Sequence, residues 1–192
     1  MKTINIYLCG VGGQGIGLLS DVLGEACRLA GYTIKGCDTH GLAQRGGTVV
    51  SHLRIGDTLY VPRVPPGQAD LVVGLERLEA LRAAVRMLKK SGTLVYYDSQ
   101  YQPIHVRMGE ESYPKAEELE KVAQEKNINL HRVHLESLAD PRMQNVALLG
   151  RLASIEVIPE VSKEILEKAL AIKLPKKILD MNLDVFRQAA AK

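Results

Sequence analysis

The spacing of apolar residues changes near residue 15 of the chain. Before that point, residues 3–9 form an apolar run that predicts a strand leading into a glycine-rich turn. After it, apolar residues recur at helical spacing up to Gly31, a residue type that commonly ends helices. Residues 33–37 predict a second strand, which ends at Asp38. This order predicts a βαβ unit with two parallel strands and a right-handed crossover.

The rest of the chain continues to alternate between strand and helix patterns. The further predicted strands are 48–55, a hairpin return at 59–61, 71–74, 93–97, 103–107 and 128–133. The further predicted helices are 76–90, 114–126 with Pro114 in its first turn, 143–155, 162–172 and 175–190. The alternation predicts an α/β fold with a doubly wound, mostly parallel, Rossmann-like sheet and C-terminal helices. At 192 residues, we expect a single domain over residues 1–192, with residues 143–192 as its helical C-terminal part.

Composition and charge narrow the class of protein. The net charge is only +3, and the basic residues are scattered rather than interleaved with aromatic side chains, so we expect no nucleic-acid partner. No apolar run approaches the ~18 residues of a membrane-spanning helix. The N-terminus also has no charged start followed by a cleavage site. We therefore expect a cytoplasmic chain that has no membrane partner.

The chain has three cysteines, Cys9, Cys27 and Cys37, and no two of them stand at Cys-x-x-Cys spacing. Cys9 ends an apolar strand and Cys27 lies on the apolar stripe of a predicted helix, so both are predicted to be small buried hydrophobes. The chain alone cannot provide four thiolates for an iron–sulfur cluster, and we expect no metal site.

The first glycine-rich turn contains Gly10, Gly12 and Gly15, which match the G-x-G-x-x-G dinucleotide fingerprint. A helix N-terminus follows, which favours an anion, and Asp38 stands where a nicotinamide enzyme has the acidic residue for the adenosine ribose. The same turn also occurs only to pack a helix on a strand, so both roles remain open. The additional Gly13 and Gln14 make the loop more permissive than NAD binding requires, which suits any anionic group or the backbone of another subunit.

A second glycine-rich stretch follows the second predicted strand. His40, Gln44 and Arg45 stand close together beside Gly46 and Gly47, so a ring that titrates, an amide and a fixed cation share one pliable loop. This pattern favours an anion site or a subunit contact for Arg45, and a hydrogen-bonded structural role for His40. The two loops predict cofactor-binding residues but no catalytic residue. The predicted binding residues are Gly10, Gly12, Gly13, Gln14, Gly15, Asp38, His40, Gln44, Arg45, Gly46 and Gly47.

Ser51 and His52 are the remaining candidates for chemistry near the second loop. They are neighbours on a predicted strand, so their side chains should point to opposite faces of the sheet. We therefore expect no catalytic Ser–His pair here, and a structural role for His52.

Together the two loops resemble one family. Gly-Val-Gly-Gly-Gln-Gly at residues 10–15 and His-Gly-Leu-Ala-Gln-Arg-Gly-Gly-Thr-Val-Val-Ser-His at residues 40–52 are similar to the gamma-type component of the 2-oxoacid:ferredoxin oxidoreductases. The nearest branch is the beta subunit of indolepyruvate:ferredoxin oxidoreductases. Weaker matches extend the resemblance over essentially the whole chain, at residues 64–70, 74–76, 145–150 and 182–186.

The resemblance implies a role as a subunit of an enzyme. Such enzymes oxidatively decarboxylate a 2-oxoacid, here indolepyruvate or another arylpyruvate, to an acyl-CoA and pass the electrons to ferredoxin. In this family the thiamine diphosphate site and the iron–sulfur clusters usually lie on other subunits or domains, and the sequence agrees, since it has no Gly-Asp-Gly…Asn-Asn thiamine motif and no cysteine cluster. The resemblance thus implies a chain that binds no cofactor alone and is inactive alone, with CoA in the assembled enzyme.

Two other functions remain open from the residues. One is a stand-alone NAD(P)-binding Rossmann protein, and the other is a purely structural assembly subunit. In the isolated state, we also expect a sticky surface that could support a homodimer.

Overall fold

The computed structural model describes residues 3–39, 47–100, 104–109, 112–138 and 140–191. The strands within these ranges are β1 (Ile4–Val11), β2 (Ile34–Thr39), β3 (Thr48–Ile55), β4 (Ala69–Gly74), β5 (Leu88–Tyr97) and β6 (Asn129–Val133). The helices are α1 (Ile16–Leu29), α2 (Arg77–Arg86), α3 (Ile104–Arg107), α4 (Ala116–Lys126), α5 (Gln144–Ile155), α6 (Lys163–Lys173) and α7 (Lys176–Ala190). None of these helices is long and apolar enough to cross a membrane.

The described strands form one sheet in the order β2-β3-β1-β4-β5-β6. Strands β1, β4, β5 and β6 are parallel, while β3 is antiparallel to both of its neighbours, β1 and β2. The predicted mostly parallel α/β sheet is therefore confirmed. Strands β1 and β2 run in the same direction, as predicted, but β3 lies between them. An antiparallel strand can follow its neighbour without a helical crossover, which allows β3 to take this place.

The two faces of the sheet are covered differently. Helices α1, α5, α6 and α7 form one large core with the first face, which includes Leu8, Leu23, Val73, Leu148 and Phe186. Helices α2 and α4 form a smaller core on the second face, over the middle of the sheet. On this second face, β3 is covered near His52 by the segment before β4, because the Val64 backbone N–H donates to His52.

The C-terminal helices pack closely because of a glycine. A Cβ atom on Gly150 of α5 would stand 2.3 Å from the carbonyl oxygen of Phe186 in α7. The predicted helices 143–155, 162–172 and 175–190 correspond within about a residue to α5, α6 and α7.

Two predicted strands are wrong, for the same physical reason. Residues 59–61 form no strand, because both edges of β3 already pair, with β1 and with β2. Residues 104–107 form the short helix α3 instead of a strand, and β5 likewise pairs on both edges, with β4 and β6. Residue 103 of that prediction lies outside the described residues.

Two predicted helix ends also differ from the structure. Helix α2 ends at Arg86 rather than at residue 90, because Leu88 is buried in the smaller core and pairs with Ala69 as the first residue of β5. Pro114 precedes α4 instead of lying in its first turn. Lys115 is the N-cap residue of that helix, and its backbone N–H donates to the Glu118 side chain at 2.8 Å.

Candidate functional site

The first glycine-rich loop joins the carboxyl end of β1 to α1. Gly13 and Gly15 have φ angles of 103° and 83°, in the left-handed region that favours glycine, and Gly15 caps the helix. The backbone N–H of Gly12 donates to the carbonyl oxygen of Gly47 at 2.9 Å. The structure therefore brings the first loop against the residue that closes the second loop.

Gln14 lies inside the first loop and is 1% exposed. Its Oε1 accepts from the Val11 backbone N–H at 2.7 Å, and its Nε2 donates to the Leu75 carbonyl oxygen at 2.9 Å. A Cβ atom on Gly10 would stand 2.9 Å from Gln14 Oε1, so the glycine makes room for this amide. These contacts give Gln14 and Gly10 a role in shaping the loop. The backbone N–H of Gln14 is also engaged, since it donates to the Val11 carbonyl oxygen at 3.2 Å.

Asp38 lies at the carboxyl end of the edge strand β2. Its carboxylate accepts a hydrogen bond from the Ser51 hydroxyl, which lies 2.8 Å from the hydroxyl of Ser20 on α1. In dinucleotide-binding Rossmann sheets, the acidic residue ends the strand next to β1. Here β3 intervenes, so Asp38 lies about 10 Å, or two strand spacings, from the first loop. This arrangement does not fit an adenosine ribose held between the glycine loop and Asp38.

Of the binding residues predicted in the second loop, Gly47 is the one that lies within the described ranges. His40, Gln44, Arg45 and Gly46 lie outside the described residues, so their predicted roles stay predictions.

Ser51 and His52 do point to opposite faces of β3, as predicted. Ser51 contacts Ser20 on the first face, whereas the His52 ring packs edge-on against Tyr7 on the second, with ring centroids 5.0 Å apart. The structure thus holds no Ser–His pair at this position.

A polar cluster missed by the sequence analysis lies at the carboxyl edge of the sheet. We call it the carboxyl-edge cluster, and it consists of Gln14, Glu76, Arg77, Asp98, Ser99 and Tyr113. It stands where β4 and β5 end, which is where open α/β sheets place their functional crevices. The cluster therefore lies directly beside the first glycine loop.

Asp98 organises one half of the carboxyl-edge cluster. It is 7% exposed and accepts from Arg77 Nε at 2.6 Å, while Arg132 of β6 pairs with its other carboxylate oxygen. Arg77 also donates to the Pro114 carbonyl oxygen at 3.2 Å and stands 5.6 Å from the centre of the Tyr113 ring. These contacts join the ends of β5 and β6 to the segment before α4.

Glu76 organises the other half of the carboxyl-edge cluster and is fully buried. One carboxyl oxygen accepts from the Glu79 backbone N–H at 2.9 Å, and the other contacts the Tyr113 hydroxyl. That hydroxyl has one proton and also lies 2.7 Å from the Ser99 carbonyl oxygen, which can only accept. A protonated Glu76 satisfies all three contacts at once. Burial raises the pKa of Glu76, which favours this protonated form.

Part of this cluster had a signal in the sequence. Glu76, Asp98 and Ser99 directly follow apolar runs predicted as parallel strands, and the carboxyl ends of such strands share one edge. Tyr113 had no such signal, because it precedes α4 in an irregular segment that only the folded chain brings to this edge.

Comparison with known proteins identifies the family. The model of the family described as pyruvate ferredoxin/flavodoxin oxidoreductase matches residues 5–192. The chain belongs to this family. It is 35% identical over 191 residues to the indolepyruvate oxidoreductase subunit IorB of Pyrococcus horikoshii, and 33% identical over 192 residues to IorB of Thermococcus kodakarensis. Both alignments cover 97% of this chain and 94% of the relative.

Solved structures share the fold at lower identity. The gamma subunit of a keto/oxoacid ferredoxin oxidoreductase from Geobacter sulfurreducens has a TM-score of 0.68 and 20% identity, with 98% of this chain and 96% of that chain covered. Pyruvate oxidoreductase subunit PORC from Thermotoga maritima has a TM-score of 0.69 and 22% identity, with 100% and 97% covered. The chain also matches, over its whole length, 31% of a longer chain of 2-oxoglutarate:ferredoxin oxidoreductase from Magnetococcus marinus, with a TM-score of 0.68 and 20% identity.

Two of the three cysteines of this family member are poorly suited to be cluster ligands. Cys9 and Cys27 are buried, as predicted, and burial raises the pKa of both thiols, that of Cys27 to about 12. The Cys9 thiol contacts the Glu79 carbonyl oxygen at 3.5 Å. Iron–sulfur clusters need thiolates, so these two buried thiols do not fit that role. Among the described residues, no three His, Cys, Asp or Glu side chains come together as a metal site.

Proposed function

We propose that this chain is the non-thiamine-binding subunit of an indolepyruvate or arylpyruvate:ferredoxin oxidoreductase. The assembled enzyme would convert the 2-oxoacid and CoA to an acyl-CoA and CO₂, and transfer the electrons to ferredoxin. The observation that carries the proposal is the similarity to IorB proteins, which extends over 97% of this chain and 94% of each relative. The relatives are named as subunits of indolepyruvate oxidoreductases, which supports this substrate class over pyruvate or 2-oxoglutarate.

The partner, in this proposal, holds the thiamine diphosphate and the iron–sulfur clusters. The buried, protonated thiols of Cys9 and Cys27 support the assignment of the clusters to another chain. Thiamine diphosphate would supply the carbanion chemistry of decarboxylation. This chain would help to line the site and would contribute to its electrostatic environment. Its two glycine loops would face the partner or an anionic group of CoA.

The alternative of a stand-alone NAD(P) protein has less support. The G-x-G-x-x-G match persists, but β3 separates Asp38 from the first loop, and the Gln14 side chain occupies the inside of that loop. A purely structural assembly subunit is favoured by one observation, the bond between Gly12 and Gly47, which ties the two loops to each other.

The domain and oligomer assignments are part of the same proposal. We propose one domain over residues 1–192, supported by the large core, which joins the N-terminal strands to the C-terminal helices. In the absence of its partner, the chain would expose the surface that the partner covers and could form a homodimer.

The decisive experiment is reconstitution with a thiamine-binding, cysteine-rich partner encoded beside this chain. We expect indolepyruvate- and CoA-dependent reduction of ferredoxin or a low-potential dye by the complex, and none by this chain alone. Comparison of kcat/KM for indolepyruvate, phenylpyruvate, pyruvate and 2-oxoglutarate then identifies the substrate class. Turnover by the isolated, cluster-free chain would refute the proposal. Full activity of the partner without this chain would leave assembly as its only role.

A further inference from the structure

A cleft of about 770 Å³ lies on the second face of the sheet, between α2 and the segment before β4. We call it the basic cleft, and its principal lining residues are Tyr7, His52, Arg63, Glu79, Arg82 and Arg86. Its volume falls in the range of about 300–1,000 Å³ that is typical of small-molecule sites. Of these six residues, only His52 belongs to a motif on which the family resemblance rests, as the last residue of the 40–52 stretch.

His52 forms the floor of the basic cleft and is 4% exposed. Its Nδ1 accepts from the Val64 backbone N–H at 3.1 Å, so in the neutral ring the proton is on Nε2. Burial, and then the charge of Arg63, hold the pKa of His52 below its ordinary value, which favours this neutral ring.

The Nε2–H of His52 is a buried donor that has no acceptor within the described part of the chain. Among those residues, no side-chain polar atom is both completely excluded from solvent and without a partner. Nε2 must therefore keep some access to solvent, and the open volume beside it is the cleft. A neutral N–H donor in a fixed orientation is thus aimed into the basic cleft.

The charges around His52 are mostly positive. Glu79 is the acidic residue of the lining, and it is already paired with Arg82 at 2.5 Å and accepts from the Thr48 hydroxyl at 3.0 Å. Burial raises the pKa of Tyr7, and the charges of Arg86 and Arg63 oppose this rise. Both guanidinium groups therefore act on the floor of the cleft, although their side chains are exposed.

We propose that the basic cleft binds a small ligand through a compact oxyanion, either a phosphate or a carboxylate group. Two guanidinium groups match the planar spread of oxyanion acceptors, and the His52 N–H adds a donor whose direction is set by the Val64 contact. An oxyanion provides hydrogen-bond acceptors, and the Arg63, Arg86 and His52 donors have no acceptor among the described residues. A cation or an apolar ligand would leave these donors unpaired.

The test is isothermal titration of the full chain at neutral pH and constant ionic strength, with pyrophosphate as the phosphate probe and citrate as the carboxylate probe. We expect saturable binding at one site for at least one of them. Binding of pyrophosphate alone identifies a phosphate ligand, binding of citrate alone a carboxylate ligand, and binding of both a site for the shared oxyanion. Failure of both probes to saturate overturns the proposal.

Matched variants place the binding in the cleft. Arg63→Gln and Arg86→Gln should each weaken binding about tenfold, the value expected for the loss of one charged hydrogen bond. Arg107→Gln removes the same charge from an exposed residue of α3 that does not line the cleft, and it should leave the affinity unchanged. An equal loss in the Arg107 variant would indicate non-specific attraction and refute the site.

His52 itself is tested without a substitution, because its replacement would also break the Val64 contact. Nitrogen NMR of histidine-labelled protein should detect a neutral ring protonated at Nε2, and this signal should move when the anion binds. An unmoved signal at saturation would contradict the placement. This inference is independent of the proposed function, since the isolated chain should bind the probe even if reconstitution yields no enzyme.

Discussion

The carboxyl-edge cluster and the basic cleft are both polar regions beside the same sheet, but their hydrogen bonds differ. In the cluster, Asp98 accepts a hydrogen bond from Arg77, and Glu76 accepts one from the Glu79 backbone N–H. The oxygen and the nitrogen of the Gln14 amide are also both hydrogen-bonded. In the cleft, Arg63, Arg86 and the His52 Nε2–H face a volume in which the described acceptor, Glu79, is already engaged.

The difference teaches which region serves the fold and which serves binding. Removal of one member of a satisfied buried cluster leaves its partner without a hydrogen bond, and that loss destabilises the folded state. Removal of a donor that is hydrogen-bonded only to water leaves no protein group without a partner. Substitutions in the cluster should therefore lower stability, whereas those in the cleft should change ligand binding.

The largest effect is expected from Asp98→Ala in the carboxyl-edge cluster. The substitution leaves Arg77 and Arg132 without their shared carboxylate. We expect a loss of about 2–4 kcal/mol, somewhat less than for a fully buried ion pair, because the Arg132 side chain is 53% exposed. Urea denaturation measures it. Glu167→Ala, which removes an exposed side-chain pair with Arg187, serves as the control and should have a much smaller effect. Equal losses would mean that the cluster adds nothing beyond a surface pair.

Gln14→Leu should have the next largest effect. The apolar side chain is close in size but leaves the Val11 N–H and the Leu75 carbonyl oxygen without the amide. We expect a loss of about 1.5–3 kcal/mol by urea denaturation, the cost of unmade buried hydrogen bonds. Gln124→Leu on the exposed side of α4 is the control, for which little change is expected. If the Gln14 variant is as stable as the wild type, Gln14 does not support the loop, and its predicted role in binding a cofactor would be favoured instead.

Glu76→Gln should change the pH dependence of stability more than its value. The folded pKa is raised above 4.5 by burial, so the folded state keeps its proton at a pH where the unfolded state has lost it. Wild-type stability should therefore fall as the pH rises from about 4.5 towards the folded pKa. Gln has the shape of the neutral carboxyl group but does not titrate, so the Gln variant should not lose stability in this way. The difference in the free energy of unfolding between the variant and wild type should therefore grow with pH, by up to about 1.4 kcal/mol for each unit by which the folded pKa is raised.

Urea denaturation of wild type and Glu76→Gln between pH 4.5 and 8 measures this difference. Other groups titrate equally in both proteins, and Glu125→Gln, at an exposed position of α4, controls for the loss of a carboxylate. Parallel stability curves would mean that Glu76 is ionised in the fold, and that the Tyr113 hydroxyl donates to it at the expense of the Ser99 carbonyl oxygen.

The smallest effect on stability is expected in the basic cleft. Arg63→Gln and Arg86→Gln should change the free energy of unfolding by no more than about 0.5 kcal/mol, because neither guanidinium group is part of a described hydrogen bond or ion pair. The same urea titrations without added anion provide the measurement. A loss comparable to that of Gln14→Leu would make these arginines part of the fold, and the contrast between cluster and cleft would disappear.

Local patterns were sufficient for most elements of this fold. Residues 48–55 were predicted as a strand with the bounds that β3 has, and the C-terminal helices were predicted nearly to the residue. Periodic apolar spacing and β-branched runs depend on neighbouring residues only, so they can be recognised along the chain. The prediction of a hairpin return at residues 59–61 failed because β3, the strand with which it would pair, already pairs on both edges.

The sequence by itself determined the α/β class, the two glycine loops, the burial of Cys9 and Cys27, and the motifs that mark the family. Only the tertiary structure decided that β3 lies between β1 and β2, which takes Asp38 away from the first loop. The tertiary structure alone also decided that the Gln14 amide is hydrogen-bonded inside that loop, whereas the His52 Nε2–H has no acceptor among the described residues. The reason is physical: strand pairing and the removal of water from a polar group depend on contacts between residues far apart in sequence, and no local pattern records them.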